Sequence, residues 1–202
     1  MDKFKLLKKW INNDYLNPQT IITIKQAFQE NNPKSIQLQN FLKNNKFKIL
    51  QKAIMNSKYY LEYKPDCYSF YKIKKSNKII NEFIKFIESK EFRLLISFIN
   101  NKITKLNNYE IVKFQHKNYT LLHDNLKEKQ QLRLIFDFTE DWNHDSGGFN
   151  SHIDNSEELL RINPKENSLS IIQLNEKILN FTKYINNQAK NNKAIFLRAS
   201  FQ

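Results

Sequence analysis

Near residue 105 the apolar side chains change from a helical repeat to alternation, and that change bounds the fold more tightly than any other feature of the chain. Before it, Ile79, Ile80, Phe83, Ile84 and Ile87 recur at helical spacing, as do Phe92, Leu95, Ile96, Ile99 and Ile103, which predicts two successive amphipathic helices. Asn17-Pro18 opens an earlier helix over residues 20–30 with Ile21, Ile24 and Phe28 on one side, and Asn40 is the expected cap of another carrying Leu42, Leu50 and Ile54. A Tyr-rich extended stretch runs from Tyr59 to Ile73, broken at Pro65.

After residue 105 the pattern shortens to strands, expected at 110–114, 119–122, 132–138, 149–153, 159–162, 169–174 and 193–201. Leu134, Phe136 and Phe138 fall on one face of their strand, and Arg133, Ile135 and Asp137 on the other. Helices first and strands afterwards make the class α+β, with seven or so short strands closing as a sandwich, barrel or jelly roll and the helices lying on one sheet. At 202 residues with 40% hydrophobic content the chain suits one domain, 1–202, in which 1–105 is mainly helical support and 106–202 is the jelly-roll core.

Lys and Arg number 33 against 20 Asp and Glu, a net charge of +13. Such a balance favours an acidic partner. The lysines are nevertheless spread along the chain, Asn occurs 28 times and Gly twice, and no aromatic–basic RNA-binding signature appears, so the charge reads first as the composition of an AT-rich coding sequence. The single thiol, Cys67, cannot form an intramolecular disulfide, and no apolar run reaches the roughly 18 residues of a membrane span, which leads to the expectation of a reducing, cytoplasmic setting.

All four histidines, His116, His123, His144 and His152, lie between residues 116 and 152, and both glycines are adjacent at Gly147-Gly148. A chain this poor in glycine is expected to place the pair where the backbone needs positive φ or close approach. His123-Asp124-Asn125 ends one expected strand, Leu132-Arg133-Leu134 opens the next, and Trp142 and Gly147-Gly148 lead into a third. Pro164, Asn167 and Ser168 then precede the strand at 169–174. This arrangement resembles the prolyl 4-hydroxylase-like branch of the 2-oxoglutarate/Fe(II) dioxygenases. Ile36-Gln37-Leu38-Gln39-Asn40-Phe41-Leu42 and the paired helices are similar to the N-terminal part of members of that group.

The resemblance implies a double-stranded β-helix, a jelly-roll or cupin-like barrel, with the N-terminal helices packed on its outer sheet. It also implies Fe(II) held by two histidines and one carboxylate, and 2-oxoglutarate held through its far carboxylate by a basic side chain. His123 takes the first metal position; the second falls on Asn125, a neutral amide where the family has Asp. The distal His is expected within residues 181–185, where Lys183 or Tyr184 stands, and Lys193 matches the basic residue for 2-oxoglutarate. His144 and His152 offer an unconventional histidine set with His123. The expected function is therefore that of a diverged or pseudo-enzyme of the dioxygenase fold binding a dicarboxylate or peptide. The alternatives are an active hydroxylase with an altered metal site and a basic RNA- or ribosome-associated module.

Overall fold

The computed structural model describes residues 5–122, 131–175 and 177–202. Its helices are α1 (Lys5–Trp10), α2 (Pro18–Glu30), α3 (Asn44–Met55), α4 (Lys78–Glu88) and α5 (Lys90–Asn100). Its strands are β1 (Ser35–Leu38), β2 (Tyr59–Lys64), β3 (Tyr68–Ile73), β4 (Leu106–Phe114), β5 (Tyr119–Thr120), β6 (Gln131–Asp137), β7 (Asn150–Asp154), β8 (Glu157–Ile162), β9 (Ser168–Leu174), β10 (Leu179–Thr182) and β11 (Ala194–Phe201).

Local chemistry sets the helix starts. Asn17 accepts from the Gln19 N–H with Pro18 in the first turn, Asn77 accepts from Ile80 N–H, and Ser89 accepts from Phe92 N–H. Asn40 does not cap α3 as expected: it occupies a left-handed turn at φ 52°, Leu42 pairs with Ile11 in an isolated bridge, and the helix begins at Asn44. The Tyr-rich stretch is the β2–β3 hairpin.

The strands form one antiparallel, nearly closed barrel in the order β1-β9-β6-β11-β4-β3-β5-β10-β7-β8, with β2 added to β3. The helices cover one wall of it. On β6, Leu132, Leu134 and Phe136 face the helices and join Phe83, Phe92, Phe41 and Leu50 in one core, with Phe83 5.1 Å from Phe136 edge to face. On the other side of the same strand, Ile135 meets Ile172, Phe114 and Phe196 in a second core inside the barrel. The alternation expected for this strand is therefore the partition between two cores, and each fully buried Phe contributes about 2 kcal/mol of apolar burial.

Two segments before residue 105 join the sheet, β1 through β9 and β3 through both β4 and β5. Strand β1 pairs with β9 from Ser35↔Ile172 to Leu38↔Leu169, and β3 pairs with β4 at Tyr71↔Lys113. Asn167 strengthens the first link. Its side chain accepts from Leu42 N–H at 3.1 Å and donates to Leu42 O at 2.9 Å, and its own carbonyl accepts from Phe41 N–H. The change of period at residue 105 thus divides helices from most strands without dividing the sheet. No helix among the described residues is long and apolar enough to cross a membrane.

Candidate functional site

Strand alternation directs a polar set into the barrel beyond its apolar core. Ala194 and Phe196 point inward on β11, so Arg198 does too, and Asn150 and His152 share one side of β7. Thr182 on β10 and Thr120 on β5 complete the facing wall. The Arg198 guanidinium donates through Nη2 to Asn150 Oδ1 at 3.0 Å and to Thr182 Oγ1 at 2.9 Å, and its Nη1 stands 3.9 Å from Glu110 Oε1. Phe114 and Phe196 lie beneath it, with ring centroids 5.3 and 5.9 Å away. Burial pulls its pKa down to about 10 although Glu110 opposes the change, so at neutral pH it remains a cation held mainly by neutral acceptors.

His152 is 1% exposed, and neither ring nitrogen has a hydrogen-bond partner among the described residues. Burial, then the positive charges of Arg133 and Arg198, lower its pKa to about 4, so the imidazole is neutral. The Asn150 Nδ2 group is likewise buried without a partner among the described residues. A buried cation beside unsatisfied donors and acceptors is the arrangement that recognises an anion with further hydrogen-bonding oxygens.

Gly147 and Gly148 adopt φ of 80° and 74°, and the turn is as close-packed as their pairing led us to expect. A Cβ on Gly147 would stand 2.2 Å from the Tyr184 carbonyl oxygen, and one on Gly148 would stand 2.8 Å from Trp142 Cζ2. Trp142 Nε1 donates to the Gly147 carbonyl at 3.0 Å and closes the turn against its own ring.

His123 and Asn125 lie outside the described residues. Lys183 and Tyr184 are both exposed; Lys183 is anchored by backbone bonds with Gly148 and Phe149, and the Tyr184 ring lies 6.4 Å from that of Tyr119. Lys193 is exposed ahead of β11, next to inward-pointing Ala194, and its charge is felt by Lys113 on the outer side. His144 is exposed in a short 3-10 turn and His152 is buried, so these two are not brought together. Among the described residues two basic side chains face the barrel interior, Arg198 on β11 and Arg133 on the same side of β6 as Ile135, and of these Arg198 stood in the sequence only as part of an expected strand.

No group of three or more His, Cys, Asp or Glu among the described residues is placed to hold a metal ion. Among the described residues, buried His152 feels the charges of Arg133 and Arg198, which disfavour a further cation beside it, and Asn150 on the same side of β7 is a neutral amide.

The family described as "oxoglutarate and iron-dependent oxygenase degradation C-term" matches this chain over residues 2–69 and 56–197. The chain belongs to that family. The prolyl 3-hydroxylase OGFOD1 of Mus musculus is 36% identical to this chain over 96 residues, 46% of this chain and 18% of that protein. Its counterpart in Xenopus laevis is 26% identical over 241 aligned positions, 94% of this chain and 45% of that one. The chain thus spans less than half the length of these curated relatives. Among solved structures, a Pseudomonas putida prolyl-4-hydroxylase superposes with a TM-score of 0.67 at 11% identity, covering 90% of this chain and 98% of that one. A Trichoplax adhaerens prolyl hydroxylase, in complex with a hypoxia inducible factor oxygen degradation domain peptide fragment, gives 0.67 at 12% identity over 100% of this chain and 93% of that one. At these identities the superpositions show the fold: the family's barrel is a 2-oxoglutarate oxygenase double-stranded β-helix of the prolyl hydroxylase kind.

Proposed function

We propose that this chain is a member of the oxygenase family that binds a dicarboxylate such as 2-oxoglutarate inside the barrel without turning it over at iron. The observation that carries this reading is Arg198, a buried guanidinium on the inward face of β11, supported by Asn150 and Thr182 and beside a neutral imidazole. One carboxylate of the ligand pairs with Arg198, a charge-assisted contact in a site of low dielectric, and the unsatisfied Nδ2 group of Asn150 and the one N–H of the neutral His152 ring donate to its remaining oxygens. Iron chemistry is left out because Asn125, Lys183 and Tyr184 stand where the family resemblance puts a carboxylate and an imidazole. A single retained imidazole, His123, would leave most of the coordination to water. A peptide, of the kind bound in the Trichoplax complex, is the competing ligand, and a cytoplasmic setting belongs to the same proposal.

Titration calorimetry with 2-oxoglutarate tests the binding half. Arg198→Gln is expected to weaken binding at least about tenfold, the loss of roughly one charged hydrogen bond, while Lys193→Gln leaves it unchanged. The reverse order would transfer the role to Lys193. For the iron half, protein purified without chelator is expected to hold no stoichiometric iron and to form succinate no faster than His123→Ala. Turnover dependent on His123 would overturn the reading. Asn125→Asp combined with Lys183→His, or with Tyr184→His, is expected to gain metal binding.

A further inference from the structure

The outer face of the sheet at β2, β3 and β5, where the helices do not cover it, carries a second arrangement that is independent of the barrel interior. Phe70 points inward to Phe114, which fixes the opposite set as outward: Tyr59, Leu61 and Tyr63 on β2, Ser69 and Tyr71 on β3, Lys113 on β4 and Tyr119 on β5. The strand register lines these up in rows. Lys113, Tyr71 and Leu61 are consecutive cross-strand partners, and Tyr119, Ser69 and Tyr63 form the next row. Extending the Thr182↔Thr120 pair by one residue sets Lys183 opposite Tyr119, with the Tyr184 ring 6.4 Å from that of Tyr119.

Tyr63 is 60% exposed, Leu61 51% and Tyr184 44%, although each belongs to an ordered strand or its extension. Around them are Lys113, whose Nζ lies 4.1 and 4.8 Å from the Tyr59 and Tyr71 ring centroids, and Lys117, Lys183 and Lys193, all exposed. Lys113 and Lys193 are close enough to repel each other's charge. The carboxylates of these strands point the other way: Glu62 shares the side of Phe70, and Glu110 reaches Lys72 and Arg198. One face therefore combines the exposed rings of Tyr63 and Tyr184 and the half-buried ring of Tyr119 with ammonium groups, Tyr63 lying two strands from Tyr119, and no outward position on its described strands is acidic.

We propose that this face binds single-stranded nucleic acid, with bases stacking on Tyr63, Tyr119 and Tyr184 and phosphates lying against Lys113, Lys117, Lys183 and Lys193. Stacking on aromatic rings is tolerant of base identity, and spaced ammonium groups on a sheet match a flexible phosphate backbone. An acidic peptide added along edge strand β2 would draw on the backbone of β2 and leave Tyr184 and Lys193, on the far side of the patch, unused. A duplex hides the base faces that the rings would meet.

Fluorescence anisotropy with a labelled 15-nucleotide strand of mixed sequence, as RNA and as DNA, tests this over about 50–200 mM salt. Binding is expected for at least one single strand, in the range of about 10⁻⁶ M, with the RNA and DNA arms identifying which. Tyr63→Ala with Tyr184→Ala is expected to weaken it about tenfold at unchanged salt slope. Lys117→Gln with Lys193→Gln is expected to flatten the slope by about 0.7 for each lysine. Lys85→Gln with Lys90→Gln, on the helices, is the matched control and is expected to change neither. Equal losses in the control, equal binding of a duplex, or binding of an acidic peptide with none of the single strands would each overturn the proposal. All variants are compared at matched urea midpoints, and a Tyr63→Phe, Tyr184→Phe pair that retains affinity separates stacking from damage to the fold.

Discussion

Arg198 Nη2 donates to Thr182 Oγ1 at 2.9 Å, and that bond fastens the strand at the middle of the helix-covered wall to the opposite wall of the barrel. Thr182 Oγ1 in turn donates to Asn150 Oδ1, so one hydroxyl orients both the cation and its amide partner. Thr182→Val keeps the shape and removes the hydroxyl. It is expected to lower unfolding free energy by about 1.5–3 kcal/mol in urea titration, the range for a hydrogen bond to a charged group, while Thr182→Ser retains most of it.

His152 gives stability a defined pH dependence. Its folded pKa is about 4, below the ordinary value of 6.5, so between those values the unfolded chain binds more protons than the folded one. Stability from this group is present above about pH 6.5 and is lost as pH falls toward 4, by at most about 3 kcal/mol. Asp137 acts in the opposite sense. Although its oxygens accept from Thr139 and Lys165 N–H, burial prevails and raises its pKa to about 7, so the folded state holds its proton and stability declines as pH rises from about 4 to 7. Urea midpoints of the parent and of His152→Leu, compared across pH 4.5–7.5, isolate the histidine: the parent is expected to lose ground to the variant on acidification, and parallel curves would exclude the assignment.

Asn167→Ala removes two side-chain hydrogen bonds to Leu42 and places Ala at φ 53°. Both Leu42 groups are buried, and each is left without its partner. A loss of about 2–4 kcal/mol is expected, with hydrogen exchange of the Leu42 amide rising more than that of the barrel interior.

Gly147→Ala sets a methyl group against the Tyr184 carbonyl oxygen at positive φ, where backbone must shift. Gly148→Ala meets the edge of the Trp142 ring, a side chain that has some freedom to move. The first substitution is therefore expected to cost more than the second, by at least about 1 kcal/mol, and to change Trp142 fluorescence through its bond to the Gly147 carbonyl.

Much of the fold was legible because alternation and helical spacing are local signals. The inward and outward sets of β6 were readable from six consecutive residues, and Gly147-Gly148 announced a close approach by their rarity. Two strands, β1 and β10, were not: each is four residues long, too short for alternation to stand out, and each is held by the register of its neighbours. Arg198 was passed over for a related reason. An arginine between Leu197 and Ala199 in mid-strand was the available signal, but which face it belongs to follows from Ala194 and Phe196, while Lys193 stands one residue outside the strand. The aromatic and basic outer face has no contiguous motif at all, since β2, β3, β4, β5 and β10 each supply one part and only strand pairing assembles them.

The placement of β11 bears on how the chain reaches this structure. Of the described strands it comes last in the chain, yet it lies between β6 and β4, pairing with both over most of its length. A growing polypeptide that has made every earlier strand still has a gap in the wall, with β4 and β6 each offering an unpaired edge of apolar residues. The pairing of β4 and β6 with each other's side of the wall is therefore indirect, and both edges are satisfied by β11 alone among the described strands. Loss of β11 from its place would leave two central edges of the sheet open to pairing with another chain, so a substitution that loosens this strand is expected to promote aggregation, read as light scattering on mild warming.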